Sequence, residues 1–373
     1  MSEPVFLWET KTSSESIAFG STFWKRTTLD PQLSLYIPAL RAIGYDPRGA
    51  VYDALRKPQL TPSNIPTLDA DGIKIVLDQN GQRVRTKDGK KWRQTGDTEL
   101  RYVLQSRPET PEEFGTRCLD AIAEAPDKFY ARGIVVRLAA DEREAAVDVW
   151  QTASQMRESR RLNVFPRNPD SCIEWGRECD YLNVCCGIAE IDNDLLFKTE
   201  AANVEIDGSD DLSLLSQSAM RSYRKCPRKY QIRYILRRRP NVKAATLGTG
   251  SSIHKALQVF RETGGDLKQA LAALLTEDPF VRAKEGAMVT GYAARWGAPI
   301  GFITDGIEKS FKIALTNPET GGTSRTWSLG GQMDAIVRAD AVKDLMNPTP
   351  PVPPEELELQ MQQQMSLETG SGT

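Results

Sequence analysis

One histidine serves all 373 residues, so a site that needs an imidazole can be built in only one place. That residue, His254, stands in GTGSSIHKAL, and the carboxylates best suited to join it flank it at great distance: Glu9 in VFLWETKTSS and Asp334 in GGQMDAIVRAD. An imidazole beside two carboxylates suits Mn²⁺ as well as Mg²⁺. If the three groups share one cation, the first and last strands must lie side by side. That requirement constrains the topology more than any bulk property does.

The length admits one large domain or two ordinary ones, and 40% apolar composition is enough for a sizeable core. No apolar run reaches the roughly 18 residues of a membrane span, and MSEPVFLWETKTSS lacks the basic and apolar regions of a signal peptide, so a cytoplasmic protein without a membrane partner is expected. The net charge of −2 argues against a basic coat over the whole surface. Charge is nevertheless clustered: nine Lys or Arg fall between Arg221 and Arg239. Such a run fits a solvated helix face. With tyrosine and apolar residues at helical spacing it also fits a phosphate-facing surface, which makes Arg224, Lys225, Arg228, Lys229 and Tyr230 nucleic-acid-binding candidates.

Along the chain, VFLWETKT reads as a strand, PQLSLYIPALRAIGY as a helix closing on Gly44, and GAVYDALRK as a second strand. From Leu60 to about Pro111 the text turns polar, and IKIVLD and QRVRTK flank Asn80-Gly81, which predicts an inserted β-hairpin. Residues from Pro111 to Asn163 read as mostly helical, interrupted by a short strand near KFYARGIVVRL. An irregular cysteine segment follows, and residues 191–215 read as an acidic linker. A helix capped by Ser216 or Ser218 begins the next half, and HKALQVFRETG is expected to be helical, with Gly248, Gly250, Ser251 and Ser252 allowing close backbone approach just before it. TWSLGGQMDAIVRAD is expected to be a strand bent at its glycine pair. Residues 341–373, rich in proline and glutamine, read as a disordered tail.

Glu9 and Lys11 are two apart on a strand and share a face, with Thr10 on the other. A carboxylate can ligate Mg²⁺ while the neighbouring ammonium orients water or offsets charge on a phosphate, the pairing that phosphodiester hydrolysis needs. Taken alone, the pair fits an exposed ion pair equally well. Asp334 has apolar neighbours, where a carboxylate requires a cation or several donors unless it is a cap or turn residue. Gln32 and Tyr36 are four apart on the helix after the Glu9 strand and share a face toward the same region. Cys172, Cys179, Cys185 and Cys186 lie close in sequence, with Cys226 far along the chain; gathered thiolates can bind zinc or an iron-sulfur cluster, and spacing alone does not separate the two. Cys118 stands in a helical stretch and is expected in the core.

Together these residues resemble the PD-(D/E)XK nuclease superfamily, specifically the RecB-like branch with an iron-sulfur cluster, which includes AddB-type and CRISPR-adaptation exonucleases and many phage relatives. The resemblance implies an α/β fold with a restriction-endonuclease-like core: a mixed central sheet flanked by helices, here carrying the inserted hairpin. It implies a metal site of His254, Asp334, Glu9 and the Thr10 carbonyl, with Lys11, Gln32 and Tyr36 completing the catalytic set. It also implies a 4Fe-4S cluster on Cys226, Cys172, Cys179 and Cys185, with zinc as the lesser alternative. The expected activity is Mg²⁺- or Mn²⁺-dependent DNA cleavage by an exonuclease, in the host cytoplasm if the source is viral, with recombination or replication proteins as partners. A catalytically silent DNA-binding module is the alternative, and a zinc-stabilised scaffold a third reading.

The family's motifs stand here in reversed order. Its closing half occupies residues 1–190 and its opening half 216–340, as in a circular permutation, with 191–215 joining the halves. Such a rearrangement is tolerable where the natural ends meet at one cluster and the new ends open a hairpin tip. A domain-swapped homodimer is the alternative assembly.

Overall fold

The segment PVFLWETKTS is apolar on both of its faces, a pattern suited to a strand covered from two sides. In the computed structural model, which describes residues 2–347 except 175, 205, 207 and 242–244, it is β1 (Pro4–Ser13) and lies inside the main sheet. The chain continues through α1 (Thr22–Thr27), α2 (Pro31–Ala42) and β2 (Asp46–Arg56). Then come the short strands β3 (Asn64–Pro66), β4 (Val76–Leu77), β5 (Val103–Leu104) and β6 (Ser106–Pro108) of the expected insertion, followed by α3 (Pro111–Glu124), β7 (Tyr130–Val135) and α4 (Ala139–Leu162). The cysteine segment holds β8 (Ile173–Glu174), β9 (Arg177–Glu178) and α5 (Leu182–Cys185). After it run β10 (Phe197–Thr199), β11 (Leu214–Leu215), α6 (Gln217–Lys225), α7 (Pro227–Tyr230) and β12 (Arg238–Pro240). Helices α8 (Ala245–Glu262), α9 (Leu267–Ala272) and α10 (Pro279–Trp296) precede β13 (Lys309–Thr316), β14 (Thr323–Met333), β15 (Ala335–Arg338) and α11 (Val342–Leu345).

The fold is mixed α/β. Its central sheet runs β15-β1-β2-β7, with β1 antiparallel to β15 and parallel to β2, and β2 antiparallel to β7. β14, which pairs with β13 and β11, leads directly into β15. Segments from the two ends of the sequence are therefore adjacent: Val5 pairs with Arg338 and Trp8 with Ala335, and continuing that register by one residue sets Glu9 opposite Asp334. Helices cover both faces. Side chains of α2, α4 and α6 pack with Val5, Leu7 and Tyr52 in one core, while α3, α8 and α10 enclose Leu55 and Tyr130 in another. Asp30 caps α2 by accepting from Gln32 N at 2.9 Å, and Ser216, the cap expected for α6, accepts from Ala219 N at 3.1 Å.

Several details differ from the sequence reading. Gly330 and Gly331 do not bend their strand; they lie within β14, where a Cβ would sit 2.5 Å from Leu214 Cδ1 or 2.7 Å from Tyr36 Cε1. Close packing, not curvature, requires them. The irregularity falls at Asp334: Met333 and Ile336 join one core whereas Ala335 and Val337 join another, so the alternation slips by one residue there. Gly248 and Gly250 lie inside α8 rather than before it. The segment 191–215 is packed rather than loose: β10 pairs with β12, β11 pairs with β14, and Phe197, Ala202 and Ile206 are buried. Of the tail, residues 348–373 lie outside the described residues, but α11 turns Val342 and Leu345 into a small core with Trp8 and Val51. Among the described residues no helix is long and apolar enough to cross a membrane.

Candidate active site

β1 places Glu9 and Lys11 on the face toward α2, as their spacing required. Glu9 is fully buried; its Oε1 accepts from the Lys11 ammonium and from Gln32 Nε2 at 3.0 Å, while Lys11 Nζ also donates to Gln32 Oε1 at 3.0 Å. Its other oxygen, Oε2, is buried without a hydrogen-bond partner. An orphaned carboxyl oxygen is costly when ionised; a retained proton relieves it, and so would a bound cation.

Asp334 reaches β1 from the far end of the chain: its Oδ2 accepts from Thr10 N at 2.7 Å and stands 3.6 Å from His254 Nδ1. His254 projects from α8 close to the Thr10 main chain. Tyr36 shares the α2 face with Gln32 but is buried edge-on against Phe311, over Gly331, so it packs the wall of the site.

Burial pushes the Glu9 carboxyl up to about 8, and the nearby Asp334 carboxylate adds to the rise while Lys11 opposes it. Burial works against the Lys11 ammonium, yet the Glu9 and Asp334 carboxylates hold it above the ordinary lysine value. His254 is lowered by burial, with Asp334 pulling the other way. The cleft thus keeps a lysine charged beside a Glu9 carboxyl that resists ionising, a resistance that a divalent cation would overcome.

Two further groups were not evident from the sequence. Glu308, just before β13, has φ 50° and donates its N–H to the Asp334 carbonyl at 3.0 Å; burial, then Asp334, pushes its carboxyl up to about 7. Nothing in IEKS marks it. Arg261 lies seven residues beyond His254 on α8, is buried, and donates to Thr10 Oγ1 at 2.6 Å. The two-turn spacing from His254 was the available signal.

The cysteines also converge in part. Cys179 N donates to the Cys172 carbonyl at 2.7 Å, and burial together with Cys179, Cys226 and Cys186 raises the Cys172 thiol. Cys185, raised by burial, feels Cys179 and Cys226. All six cysteines are free, and Cys118 is core as expected. Among the described residues, however, no three or more His, Cys, Asp or Glu side chains stand in metal-holding geometry.

Of the nucleic-acid-binding candidates, Tyr230 is corrected: it is buried, accepting at its hydroxyl from Arg160 Nη2 at 2.6 Å, because it fills the core beside Tyr223 and Tyr234. Arg224 donates to Thr152 Oγ1 at 2.9 Å, Lys225 pairs with Glu174, Arg228 bonds Gln231, and Lys229 is 3.9 Å from Asp180.

A model of the PD-(D/E)XK nuclease superfamily matches residues 214–365. The matched span contains His254 and Asp334 but not Glu9 and Lys11, and it is less than half of the 373 residues. The mixed sheet flanked by helices is consistent with that superfamily's fold. No curated protein and no solved structure matches the chain.

Proposed function

We propose that this protein is a Mg²⁺- or Mn²⁺-dependent deoxyribonuclease, an exonuclease hydrolysing phosphodiester bonds. One observation carries the reading: the Asp334 carboxylate hydrogen-bonds Thr10 N across 324 positions of sequence, between Glu9 and Lys11 and beside the only histidine. Glu9, Asp334, His254 and the Thr10 carbonyl would hold the cation, which when bound supplies an activated water and neutralises phosphate charge. The orphaned Glu9 Oε2 supports that fit. Lys11, steadied by Gln32, offers a fixed positive charge where negative charge develops on the phosphate. Gln32 also holds the Glu9 carboxylate in register, and Tyr36 fixes α2 against β14.

Lys11→Ala tests this. Cleavage of end-labelled DNA with Mn²⁺ is expected to vanish while DNA binding and the melting temperature persist; continued turnover overturns the assignment. The silent DNA-binding module remains as a second reading because Glu9 Oε1 and Asp334 Oδ2 are already engaged by protein donors and, among the described residues, no metal-holding set is preassembled. Wild-type protein that binds DNA yet never cuts it at any Mn²⁺ concentration favours that reading.

We also infer that Cys172, Cys179, Cys185 and Cys226 hold a 4Fe-4S cluster as a structural fastening between the two halves, supported by the backbone bond from Cys179 N to the Cys172 carbonyl and by Cys179 and Cys226 lying near enough to both Cys172 and Cys185 to raise their thiols. Anaerobically purified protein is expected to show visible charge-transfer absorption; a colourless protein containing zinc overturns the iron-sulfur assignment. The halves 1–190 and 216–340 are read as one permuted nuclease domain completed within a single chain, supported by the β1–β15 pairing.

A further inference from the structure

We propose that the arm inserted between β2 and α3 is a second DNA-binding element that grips backbone phosphates outside the catalytic cleft. This inference rests on the deoxyribonuclease reading and extends it to how substrate is held. Residues 79–96, QNGQRVRTKDGKKWRQTG, contain six Lys or Arg against one acid, Asp88, a local charge of +5 in a chain whose net charge is −2.

The structure shows how that charge is divided. Arg85 bridges Trp92 across the arm, Thr86 N bonds the Lys91 carbonyl at 2.7 Å, and Gly89 turns the tip at φ 68°. Asp88, the one acid, is engaged by the Thr86 hydroxyl and by Lys90 N at 3.3 Å, so it shapes the turn. Arg83 pairs with Asp69, and Arg93 lies 3.3 Å from Asp97. Arg85, Lys87, Lys90 and Lys91 remain, all exposed and without an ion pair among the described residues.

Trp92 organises them. The guanidinium groups of Arg83 and Arg85 lie 4.2 and 4.3 Å from its ring centroid, and Arg85 Nη1 donates to the Gly89 carbonyl at 3.3 Å, so the Arg85 guanidinium is fixed in place and its remaining N–H groups can meet a phosphate. Beside it runs an open groove of about 370 Å³ lined by Thr86, Lys87, Lys91, Trp92, Arg93 and Gln94. Lysine and arginine cations with hydroxyl and amide groups in one groove, and the stacked Arg85 next to Thr86 in sequence, match a sugar-phosphate backbone. Crowding unpaired cations onto a thin arm does nothing for its own stability; of the arm's apolar side chains only Val76 is fully buried.

The arm is also rooted close to the cleft. Glu9 pairs with Tyr52 and Ser13 with Arg56, and Lys57 N bonds the Ser13 carbonyl at 2.8 Å, so the chain leaves the sheet four residues beyond Glu9. At strand rise that is roughly 13 Å along β2. The root is pinned by Glu109, which accepts from Ser63 N at 3.0 Å and from Arg117 Nε at 2.7 Å.

The test compares full-length wild type with the fourfold variant Arg85→Ala, Lys87→Ala, Lys90→Ala, Lys91→Ala. Anisotropy of a labelled DNA duplex is followed across a salt series without divalent cation, and Mn²⁺-dependent cleavage is assayed in parallel. Each lost phosphate contact lowers the slope of log K against log salt by about 0.9, so a drop of about 2 to 4 and at least a tenfold weaker binding at low salt are expected, with melting unchanged. Equal slope and affinity in the two proteins overturn the proposal, as does tighter binding of an acidic polypeptide than of DNA. If wild type never cuts DNA but the variant still loses affinity, the nuclease reading fails and the arm stands. If wild type cuts and both proteins bind alike, the arm fails alone.

Discussion

Replacing Asp53 should damage the fold severely, because this carboxylate balances two buried arginines. Its Oδ1 accepts from Arg132 Nε at 2.8 Å, its Oδ2 accepts from Tyr292 OH at 2.6 Å, and Arg261 Nη2 lies 4.0 Å from Oδ2. Arg132 also donates to the Leu345 carbonyl at 2.6 Å and stacks 3.9 Å from the Trp296 centroid, while Trp8 faces both guanidinium groups. These contacts soften the desolvation of the second cation but do not neutralise it. Removing one partner of a buried ion pair costs about 3–5 kcal/mol, and here Asp53→Ala strands two cations, which places it near the upper figure; Asp53→Asn, retaining one acceptor, falls near the lower. Against the roughly 5–15 kcal/mol that holds a domain together, either loss is a large part. Urea denaturation followed by circular dichroism reads the difference, and a loss below about 1 kcal/mol for Asp53→Ala would refute the reasoning.

Two further outcomes follow from the site. Gly331→Ala would place a Cβ 2.7 Å from Tyr36 Cε1 and 2.8 Å from Phe311 Cε1, so overpacking of about 1–3 kcal/mol is expected, read as a lowered melting temperature; an unchanged melt contradicts the packing. Glu9 is raised from 4.5 to about 8, so in metal-free protein the folded state keeps a proton that the unfolded state has lost, and stability falls as pH rises between those values. Mn²⁺ binding near neutral pH should expel that proton, seen as a calorimetric enthalpy that varies with the buffer's ionisation enthalpy; no variation would show that Glu9 is already ionised.

What the sequence made legible was what repeats locally. The Glu9–Lys11 face, the Gln32 and Tyr36 face of α2, the Ser216 cap and the Asn80-Gly81 turn all depend on residues within a few positions of each other, and period alone aligns them. Readings failed where a distant partner decides. Gly330 and Gly331 looked like a bend because nothing nearby reveals that Leu214 and Tyr36 press on them. Residues 191–215 looked like a linker because the partners of β10 and β11 lie in β12 and β14. Tyr230 looked like part of a basic surface, whereas Arg160, seventy positions earlier, draws it inward. Asp53, Arg132 and Arg261 are isolated letters in the sequence and become a network only when β2, β7 and α8 stack.

The candidate site is likewise a property of register, not of chain order. β15 and β1 are held by four paired positions, by Arg338 Nε at 3.1 Å from Glu3 Oε1, and by Ala339 N on the Pro4 carbonyl at 3.0 Å. None of these contacts depends on a peptide link joining the two strands; a connecting turn would alter only the entropy of closing the loop, which changes slowly with loop length. Glu9 opposite Asp334, with Thr10 N between them, is therefore reachable from either order of the halves, provided the slip at Asp334 is kept. Arg261 reinforces the same register from α8, since it grips the Thr10 hydroxyl two turns from where His254 meets the Thr10 main chain. Helix and strand are thus fastened at both sides of one residue, and Thr10, whose side chain takes no part in the proposed chemistry, becomes the point on which the geometry of Glu9 and Lys11 turns.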